Sequence, residues 1–151
     1  MALQKTQVSI ILVVGALVAV SALVSGLLIA SQTIQNKGNV KAVGVGVYSD
    51  SGCSQPVLSI PWGTLDPGEP SDETVYIRNE GNVAVVLSMT TENWHPPNAS
   101  SYITLRWNLE QGYVLDPEES VETVLTLSVS SSISGVERFT FDIIITGTES
   151  T

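Results

Sequence analysis

The side chains able to do chemistry are few and scattered. His95 is the only histidine and Cys53 the only cysteine. A zinc centre of the usual Cys/His composition is therefore out of reach. A serine nucleophile needs a structured elbow, and no G-x-S-x-G occurs near or far from His95. Carboxylates gather in two acidic turns, Asp66, Glu69, Asp72 and Glu73, then Asp116, Glu118, Glu119 and Glu122. Calcium takes several converging oxygens, but neither run has the alternating spacing and closing glutamate of an EF-hand loop. Both read as solvated turns. The expectation is a non-enzymatic chain with no catalytic, cofactor-binding or metal site. A lone thiol cannot close an intrachain disulfide, so Cys53 reads as a small side chain in the turn SDSGCSQP.

Residues suited to contact are easier to find. Trp94 and His95 sit with Pro96 and Pro97 just before Asn98-Ala99-Ser100, the only N-x-S/T sequon. Asn98 must be exposed if it carries a glycan. Trp94 has two readings, an interface anchor or a cap on the open end of a β domain. In KAVGVGVYSD, Gly44 and Gly46 fall on one strand face opposite Val43, Val45 and Val47. A face without side chains admits another backbone, or marks an edge strand with nothing to pack.

These residues need strands to position them, and the sequence from Val40 onward supplies the pattern. Val75 and Ile77 alternate in ETVYIRN, and Val83, Val85, Leu87 and Met89 in VAVVLSMTT. Ile103, Leu105 and Trp107 point inward in YITLRWNL, with Thr104, Arg106 and Asn108 outward. Val121, Leu125, Leu127 and Val129, then Phe139, Phe141, Ile143 and Ile145, complete the core together with Trp62. Pro61 marks an edge strand. Asn79-Glu80-Gly81-Asn82 reads as a hairpin turn between two of these strands. Leu65-Asp66-Pro67-Gly68-Glu69 and Leu115-Asp116-Pro117-Glu118-Glu119 echo one another, each a tight turn launching a strand. The fold class predicted is all-β, an immunoglobulin-like antiparallel sandwich of about seven strands over residues 40–147, with a polar tail at 148–151. The Asn79–Asn82 turn also resembles that of small CARDB-like surface sandwiches, a likeness of fold that carries no activity.

Ahead of the strands lies Val8–Ala30, 23 residues with no charge and no proline. As a helix it is roughly 35 Å long, enough to cross a bilayer. Residues 1–7 form a short leader, and the polar SQTIQN continuation carries the predicted helix to Lys37, with Gly38 as its C′ residue. Three readings of the stretch stand side by side: a signal peptide cleaved before Ser31, an uncleaved anchor, or a helix that packs with its neighbours. Gly15 with Ala19, Ser21 with Ser25, and Ala22 with Gly26 are small-xxx-small pairs that suit the last. A short leader, a long uncharged helix and a β domain fused directly to it resemble the archaeal type IV pilin and archaellin class. That class carries Lys or Arg followed by Gly or Ala at its peptidase site, where this sequence has Lys5-Thr6.

The chain has a net charge of −9, and all fifteen acids follow Lys41, where the only basic residues are three arginines. So acidic a domain repels nucleic acid. The resemblance implies a pilin-like cell-surface filament subunit, a homo-oligomer through the hydrophobic helix. The alternative is a membrane-tethered adhesion module that binds a surface glycan or protein and does not polymerise. Both place residues 8–30 in or from a membrane and the β domain outside the cytoplasm.

Overall fold

The fold is built around its last strand. In the computed structural model, which describes residues 36–151, Thr140–Glu149 (β9) runs through the middle of the larger of two sheets. Its sequence TFDIIITGTE is rich in β-branched and aromatic residues that fit a pleated surface. Phe141, Ile143 and Ile145 are fully buried on one face. On one side β9 pairs in parallel with Asn36–Val43 (β1), from Lys37↔Thr140 to Val43↔Thr146. On the other it pairs antiparallel with Val85–His95 (β5). Ser59–Gly63 (β3) and Val114–Leu115 (β7) complete the sheet, in the order β3-β1-β9-β5-β7.

The second sheet has four strands in the order β2-β4-β8-β6, all antiparallel: Gly46–Tyr48 (β2), Pro70–Arg78 (β4), Ser120–Val129 (β8) and Ile103–Trp107 (β6). Odd-numbered strands make one sheet and even-numbered strands the other. Every connection therefore crosses between sheets, and no two consecutive strands pair. The apolar faces share one core, with Ile77, Leu125, Leu127 and Val75 from the smaller sheet meeting Phe141, Ile143, Leu87 and Leu115 from the larger.

The all-β expectation holds, and its details change. Among the described residues there are nine strands where about seven were expected, and the β1–β9 pair is parallel, so the immunoglobulin-like, wholly antiparallel arrangement is corrected. Asn79–Asn82 is not a hairpin turn, because β4 and β5 lie in different sheets. Asn79 is instead a buried plug at the crossing: its Nδ2 donates to the carbonyls of Val83 (2.7 Å) and Leu115 (3.0 Å), and its Oδ1 accepts from Gly81 N–H. Val43 and Val83, expected inside, are exposed. Each sits where the chain leaves one sheet for the other, and the period-two pattern runs through the crossing without marking it.

Asn36 and Lys37, expected at the end of a helix, belong to β1. Gly38 stops no helix. A Cβ there would come within 2.8 Å of Ile143 Cδ1 and 3.1 Å of the Trp62 indole nitrogen, so glycine lets β1 lie against the core. The stretch Val8–Ala30, with its helix-packing set Gly15, Ala19, Ser21, Ala22, Ser25 and Gly26, lies outside the described residues. Among the described residues no helix is long and apolar enough to cross a membrane. Those residues thus supply no element for an anchoring or filament-core helix or for joining chains through one. The pilin-like filament subunit, the membrane-tethered adhesion module and the membrane location that both required are withdrawn.

Candidate functional site

Polar side chains converge most closely on the outer face of the larger sheet. β9 alternates, so Asp142 faces away from the core between inward Phe141 and Ile143. It lies in register with Asn39 on β1 and Glu92 on β5. Lys41 Nζ donates to Asp142 Oδ2 at 2.6 Å, Asn93 Nδ2 to the same oxygen at 2.7 Å, and Asn39 Nδ2 to Oδ1 at 3.2 Å. Asn93 reaches the carboxylate because the β5 ladder slips between Glu92 and His95, where Asn93 takes φ +53°. Asparagine tolerates this left-handed conformation better than most residues. The Lys41 ammonium, followed by the Asn93 and Asn39 amides, holds the Asp142 carboxyl down at about 2, against the opposing effect of burial.

This carboxylate is therefore ionised and fully engaged at neutral pH. A general base works best with a pKa near the working pH, and Asp142 lies far below it. Its chemistry is structural: it ties three neighbouring strands together through one charge.

The residues expected to make contacts fall in separate places. Trp94 is half-buried and stacks on Phe141 with centroids 4.2 Å apart and planes 3° from parallel, and its indole N–H donates to Thr91 Oγ1. It closes one end of the core, one of its two sequence readings. His95 is exposed at the end of β5, before a cis bond to Pro96. Asn98 is exposed on the 3-10 turn Pro97–Ser101. Gly44 takes φ +73° at the crossing from β1 to β2, where a Cβ would stand 2.5 Å from the Gly147 carbonyl oxygen. Over Gly46 leans the Tyr48 ring, so the side-chain-free face is already covered by the chain's own aromatic.

The two acidic turns form as read. Glu69 N–H donates to Asp66 O and Glu119 N–H to Asp116 O, with positive φ at Gly68 and Glu118. Among the described residues no group of three or more His, Cys, Asp or Glu side chains could hold a metal ion. Elsewhere Asp50 accepts from the backbone of Gln55 and the hydroxyl and backbone of Ser54, which lowers its pKa and closes the loop around Cys53. Tyr48 donates to Glu80 and Tyr76 to Glu122, and each carboxylate raises its phenol's pKa.

The edges of the smaller sheet carry no signal in the sequence pattern. Ser130 N–H donates to Tyr102 O and Asn108 N–H to Val124 O. That parity turns Thr104 and Arg106 toward β8, and it turns the backbone N–H and C=O of Ile103, Leu105 and Trp107 outward, away from the sheet. Among the described residues these outward groups have no hydrogen-bond partner. The opposite edge of the same sheet is closed only in part: β2 covers Tyr76–Arg78, Val57 N–H bonds Val47 O and Pro56 bridges to Tyr48, while Asp72 and Thr74 of β4 lie beyond β2 and turn their backbone outward. In the larger sheet, β3 turns Pro61 outward, which has no N–H to offer, and β7 is two residues long. Beyond β7, Met89 and Thr91 of β5 face outward for a short run that ends at the bulge between Glu92 and His95. β6 is open along its whole length.

No protein-family model matches this chain, and no curated protein matches it.

Proposed function

We propose that this β domain is a non-enzymatic interaction module that accepts an extended strand along the open edge of β6. The observation that carries the reading is the contrast between edges. The other edges are shortened, covered over part of their length or interrupted by proline, and β6 presents Ile103, Leu105 and Trp107 outward along its whole length. Natural sheets blunt edges because an open one pairs with any available strand, and recognition by strand addition uses that same capacity. The engaged state of Asp142 supports the non-enzymatic part. Two-sheet scaffolds of this kind serve many binding roles.

The test is hydrogen exchange with a heptapeptide of alternating valine and threonine as probe. Strand addition slows the amides of Ile103, Leu105 and Trp107 at least about tenfold and leaves those of Thr104 and Arg106, already paired with β8, unchanged. Free exchange at all three amides both with and without the peptide refutes the reading.

A further inference from the structure

Resting on that reading of the edge, we infer that the strand it accepts is β6 of a second copy, placed antiparallel about a twofold axis at Leu105. The argument is one of register. With the axis there, Leu105 pairs with the partner's Leu105, and Ile103 pairs with the partner's Trp107. All three outward residues then exchange both N–H and C=O, and the two four-stranded sheets become one continuous sheet. A twofold contact must be self-complementary, and the side chains of β6 are. On the outer face Thr104 lies opposite the partner's Arg106, in a non-hydrogen-bonded pair with Cα atoms about 4.5 Å apart.

Neighbouring registers are worse. An axis at Arg106 sets the two arginines face to face, and like charges directly opposite destabilise a sheet pair. An axis at Thr104 pairs Ile103 with Leu105 and leaves Trp107 without a partner strand. Net charge does not oppose the contact locally. The chain carries −9 overall, but Ile103–Trp107 contains one arginine and no acid. Charges farther off are screened beyond about 8 Å at physiological ionic strength.

Thr104 and Arg106 are both exposed, so the register can be tested without touching the core. In the full chain carrying Cys53→Ser, Thr104→Cys and Arg106→Cys variants are prepared separately, mixed and oxidised. The mixed sample should form a disulfide-linked dimer at least about tenfold more readily than either variant alone, since only the mixture places the two thiols in one cross-strand pair. In sedimentation of the full chain, Thr104→Glu should tighten association about fivefold by facing the partner's Arg106. Thr104→Arg should weaken it by a similar factor. Opposite shifts cannot come from a general loss of stability. Mixed variants that cross-link no better than single ones, or two substitutions that shift association the same way, overturn the second-copy assignment. Amide exchange on the same samples separates the failures. Protection at Ile103, Leu105 and Trp107 without the mixed disulfide overturns the second copy and leaves strand addition standing, and free exchange at all three overturns both.

Discussion

Replacing Asp142 by asparagine removes the one charge that joins β1, β9 and β5 while keeping its shape. Holding this carboxyl at about 2, where an ordinary aspartate sits at 3.8, corresponds to about 2.4 kcal/mol of folding free energy at neutral pH. Lys41 is 56% exposed against 11% for Asp142, so water screens the pair, and about 1.5 kcal/mol is the better figure. Asparagine also turns an N–H₂ toward donors on Lys41, Asn39 or Asn93, which raises the expected loss to about 2 kcal/mol. For a domain of this size that is a fall in Tm of about 8 °C.

The pH dependence follows from the direction of the shift. The folded-state value lies below the unfolded one, so the stabilisation is fully present above about pH 4 and disappears as pH falls through about 2. Urea unfolding followed by tryptophan fluorescence reads the β domain alone, because Trp62, Trp94 and Trp107 all lie in it. Many other carboxylates titrate in the same range, so the informative quantity is the difference between wild type and Asp142→Asn. That difference should be about 2 kcal/mol at pH 7 and shrink between about pH 4 and pH 2. A difference below about 0.5 kcal/mol at pH 7, or one that stays constant into acid, refutes the account.

Two further substitutions probe the crossings between sheets by the same unfolding assay. Gly44→Ala must hold a left-handed φ and drive its Cβ into the Gly147 carbonyl, and a loss of more than about 2 kcal/mol is expected. At Asn79, alanine removes the buried amide that donates to both the Val83 and Leu115 carbonyls, for a loss of about 2–3 kcal/mol. Aspartate there sets a carboxylate against two carbonyl oxygens and should cost more than alanine at pH 7, with the order reversing as the acid is protonated.

The alternation of Phe139, Phe141, Ile143 and Ile145, and of Ile103, Leu105 and Trp107, is a local property of each strand. That is why the core and the all-β class are legible in the residues alone. Which strands meet is not local. Asn79-Glu80-Gly81-Asn82 has the chemistry of a hairpin turn, yet the chain uses it to change sheets, because the partners of β4 lie far away in sequence. Val43 and Val83 keep the apolar period across such changes and so give no warning of exposure. Nothing in KGNVKAV announces a parallel partner about a hundred residues later. Among functional residues, Asp142 is visible only as a charge within FTFDIIIT. Its partners Lys41 and Asn93 come from strands whose adjacency the sequence does not record. The open edge of β6 depends on the parity of its hydrogen bonds, which composition leaves unspecified.

The strict alternation of strands between layers also bears on how the chain reaches this shape. Apart from the short bridge of Tyr48 to Pro56, no ladder forms by folding one strand back on the next, and the pairings between strands wait for a more distant segment to arrive. Such non-local wiring places a domain among the slower folders. β9 is central to the larger sheet and the last of these nine strands to leave the ribosome. Until it emerges, β1 with β3 and β5 with β7 are two unjoined fragments with exposed flanks, open to intermolecular association during synthesis.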